Sequence, residues 1–238
     1  MIPILGLTDR FPPVTQALRS PNGLLCAGGD LSPERLLDAY SQGIFPWYGP
    51  DAPILWWSPD PRMVLFPEEL RVSRSLQKTV RRRAFDVRFD TAFADVITAC
   101  AEARPGQDGT WIGPEIVSAY VRLHQRGFAH SVESWNAGQL VGGLYGVLLG
   151  KVFFGESMFS RATDASKVAL VHLARFVQSL GVRVIDCQQS TRHLASLGAR
   201  EIARADFARL LDESIQYPLT GSRWAASEAA WPGSTTSL

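Results

Sequence analysis

Metal ligands and paired cysteines are scarce in this sequence of 238 residues. The cysteines are Cys26, Cys100 and Cys187, and none of them forms a CxxC pair. The histidines form neither an HxxxH nor an HExxH motif. Few, widely spaced cysteines are typical of a reducing compartment, where they fill apolar spaces instead of forming disulfides. These absences predict a protein without a metal site or a disulfide framework.

The sequence also lacks a long apolar run and a secretion signal. Its longest apolar stretch, residues 140–150, contains glycines and stops at Lys151, whereas a membrane-spanning helix needs about 20 apolar residues. The first residues show neither the basic region nor the apolar region of a signal peptide. With 46% hydrophobic and 20% charged residues, the chain can bury a core. We therefore predict a globular, cytoplasmic protein.

Positive charge is concentrated in one segment. The formal net charge is +1, yet residues 71–88 contain seven Arg or Lys and one Asp. A helix capped by Ser73 would carry basic side chains close together at Arg74, Lys78, Arg81 and Arg82. A merely solvated face is the usual meaning of such a run. We favour a phosphate-contacting surface, because no acidic residue is interleaved with these four.

Hydrophobic patterns and turn residues predict an α+β protein with two folded parts. A helix over residues 33–42, followed by a segment rich in Pro and Trp, indicates a small N-terminal α+β domain over residues 1–62. The main domain is predicted over residues 63–216. Residues 217–238 are rich in Pro, Gly, Ser and Thr and are predicted to be a loose tail.

The order of elements in the main domain indicates its topology. Strands predicted over residues 140–149 and 151–158 precede a helix over 164–180 and a strand over 182–188. A strand–helix–strand crossover of this length implies parallel pairing of the last two strands. This topology resembles the GNAT superfamily, with a mixed sheet flanked by helices. Acetyl-CoA enzymes of that superfamily have a glycine-containing loop before the helix, and residues 160–165 contain no glycine. We therefore expect a donor other than CoA, and no cofactor.

Two polar residues end the last of these strands. Strand alternation places Asp186 and Gln188 on one face and points Cys187 into the core. The carboxyl end of a strand is where open α/β sheets place their sites. An aspartate there could instead cap the next helix, but Ser190 and Thr191 are better placed to do so.

A third candidate lies in the preceding strand. Alternation places Phe154, Glu156 and Met158 on one face, and Gly155 before Glu156 permits a bulge. A carboxylate among apolar residues is costly to bury without a partner, which the basic residues at 161 and 167 could supply. We favour a functional role for Glu156 over a structural ion pair.

Seven short segments occur in the order found in one known family. They are Pro21-Asn22-Gly23-Leu24-Leu25, Gly28-Gly29-Asp30-Leu31-Ser32-Pro33, Gly43-Ile44-Phe45-Pro46-Trp47, Trp56-Trp57-Ser58-Pro59-Asp60-Pro61-Arg62, Gly109-Thr110-Trp111-Ile112, Gly155-Glu156-Ser157-Met158-Phe159-Ser160 and Ile185-Asp186-Cys187-Gln188. From about residue 11 to 216 the sequence resembles the bacterial leucyl/phenylalanyl-tRNA-protein transferases. The resemblance implies transfer of Leu or Phe from aminoacyl-tRNA to the α-amino group of proteins that begin with Arg or Lys. The product is a destabilising N-terminus in the N-end rule degradation pathway.

The resemblance also implies roles for individual residues. Trp47 and Trp111 would hold the terminal adenosine, and the basic helix would grip the tRNA backbone. The apolar pocket for the transferred side chain would be formed by Leu144, Phe153, Met158, Leu170, Leu173, Val177 and Ile185. Family members often have bulkier residues at some of these positions, so the preference between Leu and Phe stays open. The donor is an activated ester, so neither ATP nor a metal is needed.

The implied catalytic residues are Asp186, Gln188 and Glu156. The family proposal is that Asp186 polarises Gln188, which then accepts the proton of the attacking amine. Because an amide is a very weak base, we expect Gln188 to orient the amine by hydrogen bonding instead. Glu156 would bind an amino group, of either the donor or the acceptor. Two alternatives stay open at this point: a Fem-type transferase with the same donor and another acceptor, and a tRNA-binding protein without catalysis.

Overall fold

The computed structural model describes residues 2–102, 110–216 and 219–224. Their strands are β1 (Ile4–Leu5), β2 (Leu24–Gly28), β3 (Phe45–Pro46), β4 (Leu55–Trp57), β5 (Arg62–Leu65), β6 (Asp86–Phe89), β7 (Ala129–Asn136), β8 (Gln139–Leu149), β9 (Val152–Ser160), β10 (Val184–Gln188) and β11 (Arg200–Ile202). Their α-helices are α1 (Pro33–Ser41), α2 (Arg74–Arg81), α3 (Phe93–Ala101), α4 (Pro114–Gln125), α5 (Ala165–Ser179), α6 (Arg192–Ser196) and α7 (Arg204–Ser214). None of these helices is long and apolar enough to cross a membrane.

The N-terminal part is a small sheet with one helix. The strand order is β1-β2-β4-β3, in which β1 pairs parallel with β2 and the other pairs are antiparallel. The Ser32 hydroxyl caps α1 by accepting a hydrogen bond from the Arg35 amide, with Pro33 at the first helical position. Leu36 and Tyr40 of this helix are fully buried, so its inward face joins the main apolar core.

The second sheet has seven strands in the order β11-β5-β10-β9-β8-β7-β6. β7, β8 and β9 form an antiparallel meander, and β9 and β10 pair parallel with α5 as the crossover. The expected mixed sheet flanked by helices is therefore confirmed, as is the parallel pairing of these two strands. Because β9 and β10 run in the same direction, their carboxyl ends lie at one edge of the sheet.

Both of these strands carry a bulge where the candidate residues lie. Tyr145 of β8 faces Ser157, but its neighbour Gly146 faces Gly155, so Glu156 is the extra residue of β9. In β10 the register shifts between Asp186 and Gln188. A bulge re-aims side chains and reverses the alternation beyond it.

The bulge in β9 corrects one predicted face. Phe154 packs in the larger core cluster, whereas Met158 packs with Phe153 against the cluster on the α5 face. The expectation that Phe154, Glu156 and Met158 share a face is therefore wrong. Gly155, which the sequence indicated as a possible bulge position, lies directly before the extra residue.

The described part of the predicted loose tail is packed against the main domain. The Ser222 amide donates a hydrogen bond of 2.8 Å to the Gly127 carbonyl, and the Trp224 side chain is 6% exposed. Residues 219–224 therefore differ from the prediction of a loose segment. Residues 217–218 and 225–238 lie outside the described part of the chain.

Candidate active site

A cavity of about 430 Å³ opens where the N-terminal part meets the carboxyl ends of β9 and β10. Trp47 and Trp111 line it together with Glu156 and Gln188. The structure thus brings together two residues predicted to hold a nucleoside and two predicted to act in catalysis. The other lining residues are Phe45, Pro46, Cys100, Glu102, Thr110, Ser157, Cys187, Gln189, Thr191 and Leu194.

Glu156 lies among neutral hydrogen-bond donors in this cavity, which include Tyr40, Tyr120 and Gln188. The Tyr120 hydroxyl donates to Oε2 at 3.0 Å, and the Gln188 amide nitrogen donates to Oε1 at 2.8 Å. The Tyr120 hydroxyl is also hydrogen-bonded to that of Tyr40 from α1. Shielding from bulk water raises the pKa of the Glu156 carboxyl to about 7, although its hydrogen bonds with tyrosine and glutamine act in the opposite direction. The carboxyl therefore exchanges a proton near neutral pH.

The partners that the sequence suggested for Glu156 are engaged elsewhere. Arg161 pairs with Glu102 at 2.6 Å, and Lys167 pairs with Asp164 at 2.9 Å. The expectation of an ion pair from either residue is therefore wrong. Glu156 has neutral donors instead, which leave it free to change its protonation state.

Asp186 is held in a buried ion pair with Arg62. The guanidinium donates two hydrogen bonds, of 2.8 and 2.7 Å, to the two carboxylate oxygens, and both side chains are fully buried. Arg62 also donates to the Gly43 carbonyl at 2.9 Å and lies between the rings of Phe45 and Phe207. Two-point contact fixes the carboxylate in one orientation. Asp186 is thus a rigid anchor beneath the cavity.

The anchor acts on the backbone of Gln188. Asp186 Oδ1 accepts a hydrogen bond of 2.9 Å from the Gln188 amide N–H, while the side-chain amide of Gln188 is bonded to Glu156. Gln188 has a φ of 62°, in the left-handed region that glycine favours. Such backbone strain persists only where surrounding contacts impose it. The bonds to Asp186 and Glu156 hold the Gln188 side chain in the cavity, with its carbonyl oxygen left to accept a hydrogen bond.

The Cys187 side chain at this strand end is oriented differently from the prediction. The bulge turns it toward the cavity, and it is half-buried instead of pointing wholly into the core. Burial raises the pKa of its thiol well above the ordinary value. The thiol is therefore protonated at neutral pH and is not an activated nucleophile.

The two tryptophans are supported differently. Trp47 is 39% exposed, and its backbone carbonyl accepts a hydrogen bond of 2.6 Å from the indole N–H of Trp57. Trp111 is half-buried in the loop before α4. Exposed aromatic faces in a cavity suit stacking on a nucleobase. Gly109, part of the motif around Trp111, lies outside the described residues.

The residues predicted to form the apolar pocket pack in one cluster between α5 and the sheet. Its buried members from the prediction are Leu144, Phe153, Leu170, Leu173, Val177 and Ile185. Met158 packs against them. Cys187 and Leu194 pack against this cluster and also line the cavity. They therefore lie between the cluster and the cavity.

Three of the predicted basic residues lie on α2, and the fourth, Arg82, directly follows its last turn. Arg74, Lys78, Arg81 and Arg82 are exposed, while Leu76 is buried. Val80 packs with Leu76 against α5. The Ser73 hydroxyl caps the helix by accepting a hydrogen bond from the Leu76 amide. The four cations are therefore presented to solvent on one stably packed helix.

Sequence reasoning missed the functional neighbours of the predicted residues. Arg62 lies 124 residues from Asp186, and Tyr120 lies 36 residues from Glu156. Tyr40, whose hydroxyl is hydrogen-bonded to that of Tyr120, lies 80 residues from it in the sequence. The single signal for Arg62 was a basic residue directly after Pro61 at the start of an apolar strand, where a charge needs a buried partner.

Comparisons with known proteins give one family for both parts of the chain. The family model described as "Leucyl/phenylalanyl-tRNA protein transferase" matches residues 64–212, and the model of that family's N-terminal domain matches residues 29–60. A leucyl/phenylalanyl-tRNA–protein transferase of Aromatoleum aromaticum is 63% identical over 231 residues, covering 97% of each chain. Its counterpart in Chromobacterium violaceum is 61% identical over 224 residues, covering 94% of this chain and 96% of its own.

Proposed function

Because the chain belongs to the leucyl/phenylalanyl-tRNA protein transferase family and is therefore an aminoacyltransferase, we propose that it transfers Leu or Phe from aminoacyl-tRNA to proteins that begin with Arg or Lys. The transferred residue would become a new N-terminus and an N-end rule degradation signal. We expect the enzyme to act in the cytoplasm, where both substrates occur. No cofactor is required, because the ester bond of the donor is already activated.

The observation that carries this proposal is the pairing of Glu156 with Gln188 in a cavity lined by two tryptophans. Glu156 Oε1 accepts from the Gln188 amide nitrogen at 2.8 Å, which leaves the Gln188 carbonyl oxygen to accept from an amine. A carboxyl with a pKa of about 7 is matched to an amine that loses its proton near neutral pH. Stacking of the terminal adenosine on Trp47 and Trp111 would bring the ester to the same cavity.

The reaction needs one proton to leave the attacking amine and one to reach the leaving oxygen. The α-amine has an ordinary pKa of about 7.7 to 8.0, so part of it is neutral at cytoplasmic pH. As the amine attacks the ester carbonyl, the new C–N bond forms, the bond to the ribose oxygen breaks, and that oxygen takes a proton. We assign Gln188 to orientation of the acceptor amine and Glu156 to acceptance of its proton. Positioning supplies much of the remaining rate.

Asp186 is a positioning residue in this scheme. Arg62 holds its carboxylate at two points, and its Oδ1 holds the Gln188 backbone N–H. The side-chain amide of Gln188 contacts Glu156 and not Asp186. Asp186 therefore acts by keeping the strained strand end in place instead of polarising the amide.

A transfer assay tests the proposal directly. The protein is incubated with tRNA charged with radioactive Leu or Phe and a peptide that begins with Arg, and transfer of label to the peptide is measured. The matched control is the same peptide with an acetylated α-amine, which should receive no label. Binding of charged tRNA without transfer would favour a tRNA-binding protein. Transfer only to peptidoglycan precursors would favour a Fem-type enzyme, and either result would overturn the proposal.

A further inference from the structure

Trp224 is packed among four aromatic rings between α5 and the large sheet. Its ring is stacked on His130 at a centroid distance of 4.1 Å and an interplanar angle of 9°. Phe176 of α5 meets it edge-on at 4.9 Å, and Phe153 of β9 lies at 6.0 Å with an angle of 25°. Phe89 of β6 completes the surround at 6.0 Å. The indole therefore touches the helix and three strands of the sheet.

A close backbone crossing holds the segment that carries this residue. A Cβ added at Gly221 would lie 2.1 Å from the Arg126 carbonyl oxygen. A Cβ added at Gly127 would lie 2.7 Å from the Ser222 carbonyl oxygen. The Ser222 amide donates to the Gly127 carbonyl across this contact. Only glycines permit so close an approach. Residues 219–224 form the C-terminal segment. Its backbone is held against that of Gly127 at Ser222, two residues before Trp224.

The indole occupies a wedge between the helix and the sheet. At the start of α5 the helix touches the sheet, since a Cβ at Gly142 would lie 2.5 Å from the Cβ of Ala165. Farther along the helix, the Trp224 ring lies between Phe176 and the strands. Gly146, which pairs with His130, leaves room for the ring of Phe153, since a Cβ at this glycine would lie 2.6 Å from two atoms of that ring. The indole therefore fills this wedge and packs behind the ring of Phe153.

We infer that Trp224 is a specificity-determining residue, which supports the ring of Phe153 and so sets the depth of the apolar pocket for the transferred side chain. This inference rests on the proposed function. The residues predicted to form the pocket lie between the same helix and sheet, with Leu170, Leu173 and Val177 on α5 and Phe153 on β9, and Trp224 belongs to the same buried cluster. Trp224 acts through Phe153, not by touching the ester.

Donor competition tests the inference. Trp224→Ala removes the indole, so that Phe153 can move away from the pocket and make it deeper. The ratio of kcat/KM for Phe-tRNA to that for Leu-tRNA should then rise about tenfold, within the range that one or two methylene groups give in an apolar pocket. Trp224→Phe retains a ring and should raise the ratio about threefold. Affinity for uncharged tRNA should stay unchanged, because the stacking and phosphate contacts are elsewhere.

The exposed neighbour Arg223 gives the matched control. Arg223→Ala should leave the ratio unchanged, which separates the indole from the rest of the segment. If Trp224→Ala does not fold, the milder Trp224→Phe variant decides alone. A ratio within ~1.5-fold of wild type in a folded Trp224→Phe variant would overturn the inference, since a rise of about threefold is expected for that variant. Failure of the proposed function looks different, because the wild-type protein itself would then transfer neither residue.

Discussion

The large sheet buries two glutamates in opposite ways. Glu133 of β7 is fully buried and accepts hydrogen bonds from the Thr91 hydroxyl at 2.5 Å and the Ser131 hydroxyl at 2.6 Å. It also accepts from the amides of Thr91 and Ala92, just before α3 begins. Its oxygens are thus saturated with donors. Glu133 thereby links the N-terminal end of α3 to β7.

Glu156, two strands away in the same sheet, has fewer donors and a cavity beside it. Tyr120 and Gln188 supply one hydrogen bond each, and shielding from water raises the carboxyl's pKa to about 7. The difference teaches that burial alone does not mark a functional carboxyl. A carboxyl that exchanges protons with a substrate needs access, and it needs protonated and ionised forms that are close in free energy.

The largest effect is expected from Glu156→Gln, which keeps the shape and removes the proton acceptor. The single-turnover rate of aminoacyl transfer should fall about 10²- to 10⁴-fold. The free energy of unfolding should not fall, because a shielded ionisable group is replaced by a neutral one and the Tyr120 hydroxyl, unlike the backbone amides around Glu133, can also accept a hydrogen bond. Rapid-quench kinetics and urea unfolding measure the two quantities on the same sample. A folded variant with wild-type rate would remove Glu156 from the chemistry.

The second prediction concerns stability against pH. The folded-state pKa of Glu156 is raised from 4.5 to about 7, so its stabilising contribution is fully present below pH 4.5 and is lost as pH rises through 7. Each pKa unit corresponds to about 1.4 kcal/mol, so the wild type should lose up to about 3 kcal/mol relative to Glu156→Gln. Urea unfolding of both proteins from pH 4 to 9 measures this difference. A difference that does not change with pH would contradict the raised pKa.

Glu133→Gln should lower stability and leave the transfer rate unchanged, the reverse of the result expected for Glu156→Gln. Its new amide NH2 would face donors that now find an acceptor, which costs about 1 to 3 kcal/mol of unfolding free energy. The transfer rate of the folded fraction should match wild type, because Glu133 does not line the cavity. Loss of rate at a temperature where the variant is fully folded would show that the two carboxylates are not separable.

Substitution of the exposed cations of α2 should have the smallest effect on the hydrogen-bond networks around Glu133 and Glu156. The triple change of Arg74, Lys78 and Arg81 to Ala should alter the unfolding free energy by less than about 0.5 kcal/mol each. It should instead flatten the dependence of tRNA affinity on salt by about 0.7 to 0.9 in the log–log slope for each lost contact. Filter binding at several salt concentrations measures the slope. An unchanged slope would remove α2 from the tRNA interface.

Local features of this fold could be read from the sequence. The caps at Ser32, Ser73 and Thr191 each depend on residues within three positions, and all three accept the expected amide hydrogen bond. The parallel pairing of β9 with β10 followed from the length of the crossover between them. Such features depend on residues that are close together in the sequence, so a local sequence pattern is enough to predict them.

Features that join distant segments could not be read in this way. Nothing near Asp186 indicates that Arg62 is its partner, and nothing in the tail pattern indicates that Trp224 is buried. The bulges caused a different failure, because one inserted residue reverses the alternation for the remainder of a strand. Gly155 permitted a bulge in β9, whereas no glycine lies in β10, so the pattern did not indicate that Cys187 faces the cavity as well as the core.

The pH dependence of single-turnover transfer tests the central claim, that Glu156 accepts the proton of the acceptor amine. Wild type and Glu156→Gln are compared with saturating Phe-tRNA and a peptide that begins with Arg. The account predicts that the wild-type rate rises with an ionisation near pH 7 and that this ionisation is absent from the variant, which retains only the rise due to the amine near its ordinary pKa of about 7.7 to 8.0. Profiles of the same shape in both proteins would contradict it.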